Sequence, residues 1–184
     1  KAVNNPRLWR AHDITNFNMK LFTQGQYMQA VEQNTNAETL TKVLYPSDDH
    51  MEGKILRLSQ QYFLVSASLQ NIIADHLAVY GTLDNFAEKT AIHINDTHPA
   101  LCIPELMRIF MDTYSFSWER AWDVVTKTVS YTNHTVLPEA LECWNEDLFR
   151  LRLPRIYMIV AEINRRYCEN LWNLYPGDWD RISR

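Results

Sequence analysis

Glycine is scarce: the 184 residues contain 4, which leaves no material for a glycine-rich phosphate loop. Cysteine is scarce as well. Cys102, Cys143 and Cys168 form an odd, widely spaced set with no CxxC pair; this argues against a disulfide framework and suits a reducing, cytoplasmic setting. No block of Lys and Arg occurs and the formal net charge is −4, so no nucleic-acid surface is expected. No apolar run reaches the length of a bilayer span, so no membrane insertion is expected. HExxH and GxSxG are both missing, and no Cys/His nucleophile motif takes their place.

What remains is a chain with 46% hydrophobic and 22% charged residues, the balance of a globular protein with a real core. It begins Lys1-Ala2-Val3-Asn4-Asn5, with neither Met nor a signal peptide, and stops at Arg184. Only two convincing strands can be found, whereas sheets usually have about five. The expectation is a piece of a larger protein.

The two strand-like runs organise the chain. They are 90–95 (Thr-Ala-Ile-His-Ile-Asn) and 127–131 (Lys-Thr-Val-Ser-Tyr). Each ends in a polar cluster, Asn95-Asp96-Thr97-His98-Pro99 and Thr132-Asn133-His134-Thr135, and each cluster leads into an apolar, helical pattern, over 104–110 and 138–144. Strand, helix, strand, helix reads as an α/β unit with parallel strands. The two clusters then fall at the carboxyl ends of neighbouring strands, where open α/β sheets bind ligands.

Elsewhere the patterns are helical. A short helix is expected to end near Gln33, with Asn36 (or Asn34) capping a second one over 37–44. The longest pattern covers 53–80, with Leu58, Tyr62, Val65, Leu69, Ile72 and His76 three and four apart and Gly81 as its stop. Ser117 is placed to cap a helix over 118–126, and Pro138 to open one at its first position. A short helix over 145–153 ends at Pro154, and a long one over 155–174 carries Ile156, Ile159, Val160, Ile163, Tyr167, Leu171 and Leu174 on one stripe. Pro176-Gly177-Asp178 reads as a turn.

The chemistry concentrates in the two clusters. A carboxylate and an imidazole where a strand meets a helix, as at Asp96 and His98, suit sugar hydroxyls or proton transfer. The plainer reading makes Asp96 or Thr97 a helix cap and His98 a satisfied core group. His134 offers its ring or its backbone carbonyl to a ligand; taken alone it reads as a loop histidine without a task. Asp48, Asp49 and His50 form either a mobile loop over a site or a solvated turn. Glu139 and Glu142 suit the positive end of the helix that follows His134. A metal site built from His93, Asp96, His98, Cys102 and His134 has suitable ligand types but none of the sharp spacings.

At these residues the sequence resembles the α-glucan phosphorylases, the glycogen, starch and maltodextrin enzymes. The resemblance is carried by 94–108, Ile-Asn-Asp-Thr-His-Pro-Ala-Leu-Cys-Ile-Pro-Glu-Leu-Met-Arg, and by 131–142, Tyr-Thr-Asn-His-Thr-Val-Leu-Pro-Glu-Ala-Leu-Glu. Arg7-Leu8-Trp9, 43–46, 52–54, 56–58, 61–63, 153–155 and 175–178 follow in the same order, so the likeness covers essentially the whole chain. It implies transfer of glucosyl from the non-reducing end of an α-1,4-glucan or maltooligosaccharide to inorganic phosphate, giving glucose 1-phosphate with retention. It also implies a GT-B type fold of two Rossmann-like domains, usually in a homodimer, with this chain as the later, helix-rich part of the first domain.

By the same resemblance His134 matches the histidine that contacts the glucosyl unit and stabilises charge in the transition state. Asp96, His98 and Thr135 match pocket residues, Asp48 to Glu52 (with His50) a gate loop, and Arg7 a basic residue near the effector region. Asp49 stands where the family commonly has a sugar-contacting Asn. His50-Met51 replaces an aromatic pair, and Ala74-Asp75 replaces two arginines that grip nucleotide phosphate. An acid cannot do that work, so neither the purine inhibitor site nor AMP activation is expected, and the enzyme leans towards the bacterial, weakly regulated type. The family's pyridoxal phosphate, its Schiff-base lysine and the groups that hold substrate phosphate belong to the second domain. None of Lys1, Lys20, Lys42, Lys54, Lys89 or Lys127 lies in that motif, so no cofactor site and no metal site are expected here, and the 184-residue chain alone is expected to be inactive. Two rivals remain: a non-catalytic glucan-binding module, and a metal-dependent hydrolase built on His93, Asp96, His98 and His134.

Overall fold

A computed structural model describes residues 6–14, 17–135, 137 and 141–182. The chain divides into two units, 1–67 and 68–184, with the boundary inside one long helix.

The first unit holds α1 (Met19–Thr23), α2 (Tyr27–Lys42) and the opening turns of α3 (Met51–Tyr80). Asn18 caps α1 by accepting from the Leu21 amide at 3.1 Å. A positive φ at Gly25 then turns the chain into α2. α2 is one continuous helix, not the two short ones expected on either side of Asn34 and Asn36. No Gly or Pro interrupts it, and an interior Asn costs at most about 0.7 kcal/mol relative to Ala. Packing against α1 and burial of Ala30 outweigh that cost. The Ala11 amide donates to Thr41 Oγ1 at 3.1 Å, and Gln60 Nε2 donates to the Val43 carbonyl at 2.8 Å.

The second unit begins with the rest of α3. Val65 and Leu69 are buried on either side of the boundary, Ile73 is buried further on, and the helix stops at Gly81, whose φ is +70°. His76 is the buried polar residue of this stretch. Its Nε2 lies 3.0 Å from both the Thr82 carbonyl and Asn85 Oδ1, and its Nδ1 lies 3.4 Å from Thr90 Oγ1. The ring therefore ties the end of α3 to the short α4 (Phe86–Lys89) and to the start of the strand that follows.

That strand, β1 (Ile92–Ile94), pairs in parallel with β2 (Val129–Tyr131), with Ile92 opposite Val129, His93 opposite Ser130 and Ile94 opposite Tyr131. Both strands are shorter than expected. Lys127 and Thr128 belong to the preceding helix, where Thr128 Oγ1 is buried and donates to the Val124 carbonyl at 2.7 Å. The crossover starts with a 3-10 turn (His98–Leu101) and continues through α5 (Cys102–Arg108), a π turn (Ile109–Thr113) and α6 (Trp118–Thr128). Helical structure thus begins six residues before Pro104. Pro104 sits in the first turn of α5, where its missing N–H costs nothing. Ser117 caps α6 as expected, accepting from the Arg120 amide at 3.2 Å.

Phe86, Leu106, Met107, Phe110, Ala121 and Val125 are buried around this crossover. Glu105 is buried with them and accepts from Arg108 Nε and Nη2 at 2.7 and 2.8 Å, a two-pronged bond that offsets the burial of its charge. After β2, residues 138–140 lie outside the described residues, so the expected helix start at Pro138 and the position of Glu139 do too. Leu141 to Trp144 are described and are not helical, which corrects the expected helix over 138–144.

Asn145 caps α7 (Glu146–Arg152), and α8 (Pro154–Leu174) follows directly. Only the first part of the α8 stripe is buried: Ile156 and Ile159 are, whereas Tyr167 and Leu174 are exposed. α9 (Trp179–Ile182) follows the expected turn, in which Gly177 has φ +84°.

Candidate functional site

Parallel pairing of β1 and β2 places their carboxyl ends side by side. The ladder runs one bond past the strands, with the Thr132 amide donating to the Ile94 carbonyl at 2.9 Å. Asp96 follows β1 by two residues and His134 follows β2 by three, so both leave the same end of the sheet.

Asp96 Oδ1 accepts from the Thr97 amide at 2.7 Å and lies 3.3 Å from the Thr97 hydroxyl. These bonds stay between neighbours. They are not the reach of a helix cap to the second or third amide, and Thr97 makes no side-chain cap either. The Thr97 amide is the main cause holding the Asp96 carboxyl below its ordinary value, and positive charge on His98 and on His134 adds to it. His98, two residues on, and His134, 38 residues away in sequence, thus both act on the Asp96 carboxylate. Asp96 and His134 are exposed and His98 is half-buried.

His98 Nδ1 is shielded from solvent and makes no hydrogen bond among the described residues. Glu142 Oε2 lies 3.5 Å from it. That is an ion-pair distance with poor hydrogen-bond geometry, so the contact is one of charge when the ring is protonated. Glu142 was expected to suit the positive end of a helix, whatever else it does; the structure brings it to His98. No local signal could have indicated this, because the pair spans 44 residues.

In the second cluster, Asn133 Oδ1 accepts from the Thr135 amide and Thr135 Oγ1 accepts from the Leu137 amide, each at 3.1 Å. The Thr135 hydroxyl therefore shapes the loop and keeps its own O–H and one lone pair for a ligand. His93 Nε2 lies 2.6 Å from Thr132 Oγ1. Among the described residues no group of three His, Cys, Asp or Glu side chains could hold a metal ion. Cys102 in particular is buried, and burial pushes its thiol up to about 11.

The expected gate residues belong to the first unit. Asp48 pairs with Arg57 Nη1 at 3.3 Å, and Asp49 Oδ2 accepts from the Ser47 hydroxyl at 2.7 Å. His50 and Glu52 are exposed, Glu52 in the first turn of α3. Arg7 is exposed, in the segment before α1.

Each cluster combines a carboxylate or carbonyl acceptor with an imidazole, a set that matches the donor-and-acceptor hydroxyls of a sugar and can move a proton. An open groove of about 570 Å³ lies elsewhere, lined by Trp118 and Trp122 of α6 and by Ile163, Arg166 and Tyr167 of α8. It shares no residue with the Asp96–His134 cluster. Among the described residues no helix is long and apolar enough to cross a membrane.

The carbohydrate phosphorylase family model matches residues 1–184. The chain is 49% identical over 182 residues to the glycogen phosphorylase of Bacillus subtilis, an alignment covering 99% of this chain and 22% of the relative. It is 47% identical over 183 residues to that of Synechocystis sp., covering 100% and 22%. To the muscle form of glycogen phosphorylase from Homo sapiens it is 48% identical over 191 residues, covering 100% and 23%. The chain spans under a quarter of the length of these curated relatives. Bacterial and mammalian relatives match almost equally well, so identity alone does not choose a regulatory type. The chain belongs to the carbohydrate phosphorylase family.

Proposed function

We propose that this chain is the later part of the first domain of an α-glucan phosphorylase with a GT-B type fold. The full enzyme transfers glucosyl from an α-1,4-glucan to inorganic phosphate, releases glucose 1-phosphate in the cytoplasm, and works as a homodimer. The observation that carries this reading is the match to the family across the whole chain, with its two most specific segments leaving the same end of one parallel sheet.

In this reading His134 contacts the glucosyl unit and stabilises charge that develops on it. Asp96 accepts from a sugar hydroxyl, and its lowered pKa keeps it an ionised acceptor at neutral pH. His98, Thr135 and Asp49 line the pocket, residues 48–52 gate it, and Arg7 lies near an effector region. The acid at Asp75 already accepts from Asn71 Nδ2 at 2.9 Å and would repel nucleotide phosphate, so AMP does not act there.

The family's cofactor, pyridoxal phosphate, supplies a phosphate group as proton relay when bound. The residues present do not fit it. A Schiff-base lysine needs a shielded pocket to lower its pKa. Every described lysine is exposed, and Lys127 Nζ is paired with Asp123 at 2.7 Å. The cofactor and the groups that hold substrate phosphate therefore belong to the rest of the enzyme. The chain's own residues bind and orient the sugar.

The test is phosphorolysis of maltooligosaccharide by the full-length enzyme carrying His134→Ala or Asp96→Asn. Loss of one preorganised group at developing charge costs about 10²- to 10³-fold in kcat, which is the expectation for His134→Ala. Activity close to that of the unaltered enzyme in both variants would refute the reading. The 184-residue chain alone is expected to release no glucose 1-phosphate.

A further inference from the structure

The His93–Thr132 contact is used neither by the sugar site nor by the core. His93 is the middle residue of β1, with its side chain on the exposed face, while Ile94 beside it is buried. Its cross-strand partner in register is Ser130. Thr132 lies two residues beyond Ser130, on the same face of β2, which makes it a diagonal neighbour within reach of a long side chain. The ring bridges that diagonal, with Nε2 at 2.6 Å from the hydroxyl across 39 residues of sequence. A hydroxyl both donates and accepts, so the bond forms with either ring tautomer and with the protonated ring.

Thr132 is consequently held twice by β1, through its amide on the Ile94 carbonyl and through its hydroxyl on His93. No further ladder bond follows it among the described residues. The next bonds, at Asn133 and Thr135, close the loop on itself and do not tie it to the sheet. Among the described residues the sheet has two strands of three residues each, and these two bonds to β1 mark where the chain leaves β2. The strand that clamps Thr132 is also the strand that delivers Asp96 two residues after its end.

We propose that His93 is a positioning residue: through Thr132 it sets the exit of the chain from β2, and hence the placement of His134 relative to Asp96. The proposal rests on the reading of His134 and Asp96 as sugar-facing groups. It assigns His93 no contact with substrate. Its effect is geometric, and a displacement of order 1 Å at a reacting centre is enough to lower the rate.

The experiment uses the full-length enzyme with His93→Ala, Thr132→Val, the pair together, His93→Gln, Thr132→Ser and, as a reference, His134→Ala. Steady-state phosphorolysis of maltooligosaccharide gives kcat and the KM for phosphate. His93→Ala and Thr132→Val should each lower kcat about three- to tenfold, the range of one hydrogen bond, with the KM for phosphate unchanged. The double variant should be no slower than the slower single one, because both remove the same bond. His93→Gln, whose amide nitrogen occupies nearly the place of Nε2, and Thr132→Ser, which keeps the hydroxyl, should recover most of the activity. Should His93→Ala fail to fold, the contrast between Thr132→Val and Thr132→Ser carries the same test.

Unchanged kcat in His93→Ala and Thr132→Val, multiplying losses in the double variant, or no rescue by Gln and Ser would overturn the proposal. His134→Ala separates the two levels. If it is slow while the His93 and Thr132 variants are normal, only the positioning role falls; if it keeps full activity, the sugar-site reading falls and the proposal with it.

Discussion

Truncating Phe110 to Ala should open the second unit at its centre. Phe110 lies on the π turn between α5 and α6 and is fully buried. Its ring centroid is 5.4 Å from that of Phe86 at an interplanar angle of 82°, and 5.3 Å from that of Phe116 at 13°. The first is an edge-to-face pair and the second a stacked one. Removing the ring loses its transfer free energy, both aromatic contacts and the packing around the void, together about 3–5 kcal/mol. Phe110→Leu keeps most of the burial and loses the ring geometry, so about 1–1.5 kcal/mol is expected. Leu151, 77% exposed, serves as the control, with Leu151→Ala changing stability by no more than about 0.5 kcal/mol. Native-state hydrogen exchange of the full-length enzyme, read at the amides of α5 and α6, measures the opening free energy where the change acts. Phe110→Ala should lower protection there by roughly two to four decades, at 1.36 kcal/mol per decade. A loss below one decade, or one equal in Phe110→Leu and Phe110→Ala, would refute the account of this cluster as the packing centre with ring geometry contributing.

Two further perturbations address the first unit and α8. A Cβ on the buried Gly53 would lie 1.8 Å from the Ser47 carbonyl oxygen and 2.9 Å from His50 Cε1. The first is a backbone atom and cannot simply swing away, so Gly53→Ala should displace the loop over 45–50 at a cost of about 1–3 kcal/mol; limited proteolysis should cut that loop faster, and an unchanged cleavage rate would count against the close approach. On α8, hydrogen bonds from Arg165 and then Arg166 hold the Glu162 carboxyl at about 2. A lowered folded-state value means that the contribution is present above the ordinary carboxylate range and is lost as pH falls through about 2. Glu162→Gln should therefore be less stable than the unaltered chain at pH 6 and should converge with it near pH 2 in thermal unfolding followed by circular dichroism; a difference independent of pH would rule out the carboxylate as its source.

Features set by neighbours in the chain were legible from residues alone. Gly81 and Gly177 adopt positive φ where a stop and a turn were expected, Ser117 caps α6, and Pro154 separates α7 from α8. Each rests on the conformational limits of one residue or one short hydrogen bond, so no distant partner was needed. The parallel pairing was legible for the same kind of reason: two apolar runs joined by a long helical crossover leave few other arrangements. Family membership was legible because two long segments, 94–108 and 131–142, keep their order and spacing.

Tertiary structure decided the rest. Asn36 lies inside α2 because packing against α1 outweighs a small local preference. Strand length depended on how far each chain finds a ladder partner, which a single run of residues does not encode. The contact of Glu142 with His98 and that of His93 with Thr132 join residues 44 and 39 positions apart, and nothing within a helical turn or a strand repeat of any of them points to the other. The types of residue that can grip a sugar are written in the sequence. Which of them meet, and which hold the others in place, is settled only when two strands align, because distance and charge act through space and not along the chain.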